Sequence, residues 1–183
     1  MSTQLDEAVE LLDRALAYTR VALAGVTEHA LTRPTPCAGW SLDELLDHMA
    51  DSLDAFTEAA TGRVPLTSAA PPLGDRLAGL QQRACALLGA WTAAPPGRVV
   101  VGDAPAPGSL VIATAALEIT VHGWDVAQAT GHALPVPEAL AERLLAVARA
   151  VVTEDDRGSR FGPARPARGP SYEQRLLGFL GRS

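Results

Sequence analysis

The stretch from Leu110 to Gly131 constrains the fold most: it is an apolar helix candidate that carries Glu118, His122 and Asp125 inside a run of Ala, Val, Ile and Leu. A carboxylate buried there costs several kcal/mol unless a counter-charge or a metal ion compensates it. Glu118 and His122 are four residues apart, so on a helix both side chains leave the same face, roughly 40° from each other. Two such groups can grip one ion. About 20 apolar residues can also span a bilayer. Two acids and a histidine, Gly123 in the middle and no flanking cluster of positive charge point instead to a buried helix of a soluble protein.

A chain of 183 residues that is 48% hydrophobic with a net charge of -6 fits one domain with a sizeable core. Its acidic balance and lack of a basic stripe weigh against nucleic acid and membrane surfaces as partners, since both need clustered cations. Met1 to Glu10 shows no charged-then-apolar leader pattern, and a cytoplasmic protein is expected. Cys37 and Cys85 are too few for a disulfide framework and are not spaced as a zinc motif. All basic residues are Arg, and neither Lys nor Asn occurs. Both absent residues have A-rich codons, which suggests a GC-rich, actinobacterial genome, and Schiff-base lysine chemistry is removed.

Hydrophobic periodicity predicts helices over Thr3 to Ala30, from Trp40-Ser41 to Thr61, over Asp75 to Ala93, from Ser109 to Gly131, and over Pro137 to Val152. Ser41 and Glu44 have the spacing of a capping box, and Ser171 can cap a short sixth helix running to Leu180. A Pro-rich loop is expected from Pro65 to Gly74, and Arg98-Val-Val-Val reads as one arm of a small β-hairpin. The expected fold is all-α: an up-and-down four-helix bundle with short extra helices and a β-hairpin before the fourth helix. Residues 1–152 form the bundle in this reading. Residues 153–183 form an Arg/Gly/Pro-rich tail with a short helix, packed on the same domain.

Metal sites in bundles use side chains of facing helices. Glu118 and His122 supply two ligands, and His48, on the shoulder of the apolar stripe of the second helix, is the best third. Two imidazoles and a carboxylate suit Zn²⁺ with an open position, and Fe²⁺, Ni²⁺ and Mn²⁺ use similar sets. The competing reading makes His48 a hydrogen-bonded structural residue and Glu118–His122 an ordinary helix pair. Asp125 either accepts a hydrogen bond from an imidazole of the site or pairs with a helix terminus or an arginine. Cys37 reads as a structural cysteine, with a reactive thiol as the alternative; Trp40 reads as a hydrophobic staple and Trp124 as helix packing, with a place in the pocket wall as the alternative for either; and His29 and His132 read as helix-end residues. Arg157, Arg160, Arg165 and Arg168 read as a solvated run, with a clamp for an anionic substrate as the alternative.

Thr35-Pro-Cys-Ala-Gly-Trp-Ser-Leu-Asp-Glu-Leu-Leu-Asp-His48, together with Glu118-Ile-Thr-Val-His-Gly-Trp-Asp-Val-Ala-Gln-Ala-Thr-Gly131, resembles the metal-binding domain of mycothiol-dependent maleylpyruvate isomerases. That group lies in the DinB-like, or YfiT-like, four-helix bundle superfamily, and Arg160-Phe-Gly-Pro and Leu176 to Arg182 are similar to its short single-domain branch. The resemblance implies a divalent metal on His48, Glu118 and His122, with Asp125 orienting a ligand, and mycothiol as a cosubstrate. The isomerase carries a further C-terminal domain without a counterpart here, so a transferase or another isomerase is implied rather than maleylpyruvate isomerisation itself.

The expected activity is metal-dependent: activation of mycothiol or water toward a small electrophilic substrate. The alternatives are a hydrolase or isomerase that uses no thiol, and a non-catalytic module that binds a metal or small molecule. A bundle without metal, with Glu118 paired to an arginine, is a third. A homodimer is compatible with the exposed faces of a bundle.

Overall fold

The computed structural model describes residues 3–37, 39–61, 72–93, 95–158 and 160–182. Four long helices form the bundle: α1 (Thr3–Leu23), α2 (Leu42–Thr61), α3 (Leu73–Ala93) and α4 (Gly108–Thr130). A two-stranded antiparallel hairpin, β1 (Arg98–Val101) and β2 (Ala104–Pro107), precedes α4, with Arg98 opposite Pro107 and Val101 opposite Ala104. Two further helices follow, α5 (Glu138–Val151) and α6 (Tyr172–Phe179). The expected all-α bundle with its hairpin is therefore present. The expected loop from Pro65 to Gly74 lies largely outside the described residues.

Helix ends follow the signals in the sequence. The Ser41 backbone N–H donates to Glu44 Oε2 at 2.8 Å and the Glu44 N–H donates to Ser41 Oγ at 3.4 Å, a reciprocal capping box that starts α2. Ser171 Oγ accepts from the Gln174 N–H and starts α6. α4 ends at Gly131, whose φ of 78° is a left-handed conformation that favours glycine. The first helix stops earlier than its periodicity suggests. It ends at Leu23, and the segment expected to continue it contains a turn and a 3₁₀ helix over Glu28–Ala30. Gly25 lies in that turn with the His132 ring packed so closely that a Cβ would overlap it.

The bundle has an up-down-down-up order. Arg76 of α3 pairs with Asp43 and Asp47 of α2, Arg83 with Asp54, and Trp91 Nε1–H donates to Phe56 O at 3.2 Å. These partners advance together along both chains, so α2 and α3 run the same way. Thr19 meets Ile119 and Gly123, and Gly25 meets His132, so α1 and α4 are also parallel to each other.

The core centres on α4. Ile112, Ala115, Ala116, Val126 and Ala127 are fully buried, and they pack with Leu12, Ala15, Leu45 and Leu144. α4 is long and apolar enough to cross a membrane, but 83% of its most apolar window is buried inside the bundle. The other helices supply the apolar phase that surrounds it. α1 approaches it so closely that the Thr19 hydroxyl donates to the Ile119 carbonyl at 2.8 Å, a contact opened by the missing side chain of Gly123.

Candidate metal centre

Three turns of helix bring the predicted ligands together. The apolar stripe of α2 buries Leu45, Leu46 and Met49 and leaves His48 on its shoulder, facing α4. Glu118 and His122 lie one turn apart on α4. Glu118 Oε1 is 2.9 Å from His48 Nε2 and 3.1 Å from His122 Nε2. One ligand atom from each residue lies within 4.8 Å of the other two, a spacing that one metal ion can bridge. All three residues singled out in the sequence therefore meet at one point.

Asp125 makes both of the contacts that its position allowed. Its Oδ2 accepts from His122 Nδ1–H at 3.0 Å, and both of its oxygens accept from Arg182, at 2.9 Å from Nε and 2.7 Å from Nη2. Asp125 is wholly buried and Arg182 nearly so. Sequence reasoning placed Arg182 only within a closing motif. The signal for it was Asp125 itself, an acid in an apolar helix that requires a cation. The hydrogen bonds of Glu118 among the described residues go to the two imidazoles, and Arg182 pairs with Asp125.

The protonation states follow from these contacts. Burial alone would raise the Glu118 carboxyl, but hydrogen bonds from His122 and His48 outweigh it and hold the group well below the usual carboxylate range. Burial would lower the His122 imidazole, yet its contacts with Asp125 and Glu118 raise it to about 9. Asp125 is likewise held low by His122 and Arg182 against the effect of burial. His122 faces a carboxylate from each ring nitrogen, Glu118 at Nε2 and Asp125 at Nδ1, which favours the doubly protonated ring in the metal-free protein; in a metal site a cation would take the place of the Nε2 proton. The donor set therefore fits a divalent ion. His122 Nδ1 is committed to Asp125, which leaves Nε2 for the cluster.

Two cavities meet at this cluster. One of about 620 Å³ is lined from α1, α2, α3 and α4 and includes Glu118 and His122; the other, of about 270 Å³, includes Cys37, Trp40, His48, Arg160 and Arg182 as well as Glu118 and His122. Trp40, expected to be a staple, also packs on the His48 ring with centroids 4.6 Å apart. Trp124 is buried, as helix packing requires. Cys37 is half-buried beside His122 and Asp125, and burial pushes its thiol up, partly offset by Arg182.

Within the Arg run, Arg160 appears among the described lining residues of the smaller cavity. Arg157 is used structurally: it donates to Phe179 O at 2.7 Å and sits over the Phe179 ring. Arg165 and Arg168 are exposed. His29 and His132 are exposed as well, and His132 Nδ1 lies 3.0 Å from Thr130 Oγ1.

Comparison with known proteins agrees with this architecture. Two uncharacterized proteins from different strains of Mycobacterium tuberculosis are each 32% identical over 168 residues, which is 88% of this chain and 90% of theirs. Crystal structures of the mycothiol-dependent maleylpyruvate isomerase and of a histidine-to-alanine mutant share the fold, with TM-scores of 0.55 and 0.57 at 19% and 18% identity. Each match covers 80% of this chain and 71% of the isomerase. The family model described as the mycothiol maleylpyruvate isomerase N-terminal domain matches residues 12–127, a span that contains His48, Glu118, His122 and Asp125. The chain belongs to the mycothiol maleylpyruvate isomerase N-terminal domain family.

Proposed function

We propose that this chain is a metal-dependent enzyme in which His48, Glu118 and His122 hold a divalent cation and mycothiol or water is activated toward a small electrophilic substrate. The observation that carries the reading is the convergence of two imidazole nitrogens on one carboxylate oxygen, at 2.9 and 3.1 Å, where two cavities meet. Two nitrogens and one oxygen with room for a further ligand suit zinc. Mycothiol enters the proposal through the family and through the isomerases that share the fold.

A divalent cation there would lower the pKa of a thiol or water and supply a nucleophile at neutral pH. The protein's own groups prepare the site. Asp125 accepts a hydrogen bond from His122 Nδ1–H and fixes that ring, and Arg182 fixes Asp125 in turn. Trp40 packs on His48 and shields that side of the ring from water. Arg160 offers an exposed guanidinium beside the smaller cavity for a polar or anionic group. Residues 153–182 belong to the same working unit in this reading, because Arg160 and Arg182 both come from that segment.

The test is a mycothiol-consumption assay of the metal-loaded protein against a panel of electrophiles. Thiol consumption that requires metal supports the proposal. Bound metal with turnover but no thiol consumption would leave water as the nucleophile, and bound metal with no metal-dependent turnover would overturn the proposal.

A further inference from the structure

Glu118 and His122 line two cavities of different character. The smaller one mixes Cys37, Arg160 and Arg182 with the apolar Leu117, Val121 and Phe161. The larger one, about 620 Å³, has a wall built largely from Leu16, Leu23, Leu53, Leu77, Leu80 and Leu88. That volume falls within the range of small-molecule sites. Four of these leucines, Leu16, Leu23, Leu77 and Leu88, remain partly open to water, so a ligand that covers them gains their burial. Among the described residues the acidic and basic groups of the wall are Asp13, Arg20, Glu118 and His122, and the last two belong to the candidate metal cluster, so the rest of the groove offers a ligand a mainly apolar surface.

We infer that the larger groove binds the hydrocarbon body of the substrate, so that the electrophile carries an alkyl chain and its reactive end lies at Glu118 and His122. The polar thiol then approaches from the smaller cavity on the other side of the same two residues. The chemistry rests on the function proposed above, whereas the affinity of the groove for hydrocarbon does not.

Calorimetric titration of the metal-loaded protein with 1-butanol, 1-hexanol and 1-octanol tests the groove directly. Affinity should rise roughly fourfold per methylene, the fold-change that corresponds to about 0.8 kcal/mol per buried CH₂. Ala17→Trp and Ala78→Trp fill the groove from two exposed wall positions on different helices. Each should flatten the series with metal content unchanged, which also reports that the variant is folded. A companion assay uses mycothiol with 1,2-epoxybutane, 1,2-epoxyhexane and 1,2-epoxyoctane. A C–S bond forms as a ring C–O bond breaks, and the alkoxide takes up a proton equivalent to the one the thiol gave up. The value of kcat/KM should climb in the same order.

Affinity independent of chain length, or 1-octanol binding unchanged in both Trp variants, would overturn the inference. A rising alkanol series with no epoxide consumed would uphold the groove and overturn the thiol chemistry. Epoxide consumption with a flat alkanol series would do the reverse.

Discussion

Asp125 and Arg182, 57 positions apart in sequence, form a buried two-point ion pair, and the same carboxylate holds the Nδ1 proton of His122. The closing segment of the chain is thereby tied to the centre of the bundle.

Removing one member of that pair strands the other. Arg182→Met leaves Asp125 buried with a single partner, His122, and should cost about 3–5 kcal/mol of stability. The double variant Asp125→Asn/Arg182→Met should be less destabilised than the two single losses predict when added. Urea unfolding of the three variants measures both quantities; an Arg182→Met loss below about 1 kcal/mol would show that the pair is dispensable.

Asp125→Asn on its own tests the positioning role. Losing the charged acceptor behind His122 should weaken metal affinity by roughly 10- to 100-fold while retaining the binding stoichiometry. Competition with a chromophoric chelator reads the change, and unaltered affinity would confine Asp125 to a structural role.

The metal-free protein should respond to pH in a defined direction. His122 is raised on folding from 6.5 to about 9, with burial opposing and Asp125 and Glu118 prevailing. A base whose pKa rises on folding stabilises the fold fully below its unfolded value and ceases to do so above its folded one. Stability after chelation should therefore fall between pH 6.5 and 9, whereas metal affinity should rise over the same window as the competing proton leaves. Urea midpoints from pH 6 to 10, compared with those of His122→Gln, would show a slope in the parent that flattens in the variant. A parent with the same midpoint throughout would contradict the assigned contacts.

The approach of α1 to α4 depends on a missing side chain. A Cβ on Gly123 would overlap the Thr19 hydroxyl and lie 3.1 Å from the Thr19 Cα, part of the opposing backbone. Alanine gains helix propensity there, but the strain should dominate, and Gly123→Ala should lower stability by about 1–3 kcal/mol. A thermal midpoint equal to or above that of the parent would mean that the helices separate without cost.

The three candidate ligands could be read from the sequence because each violates its surroundings: Glu118 and His122 in an apolar helix, and His48 beside an apolar stripe. The capping box of Ser41 and Glu44 and the glycine stop at Gly131 were equally local. What remained hidden depends on distant parts of the chain. The parallel course of α2 and α3 shows in ion pairs such as Arg83–Asp54, which any of several arginines could have made. Arg182 is one of 15 basic residues, and nothing in its neighbours marks it as the one buried against Asp125. The large leucine groove is also invisible in sequence, because the residues lining it form parts of ordinary amphipathic stripes on separate helices.

Elemental analysis of protein purified without chelator, alongside His48→Ala, Glu118→Ala and His122→Ala, tests the central assignment most directly. The parent should carry close to one divalent ion per chain, and each variant should lose most of it while remaining folded by circular dichroism. A parent without metal even after incubation with zinc, or full occupancy in all three variants, would contradict the shared site.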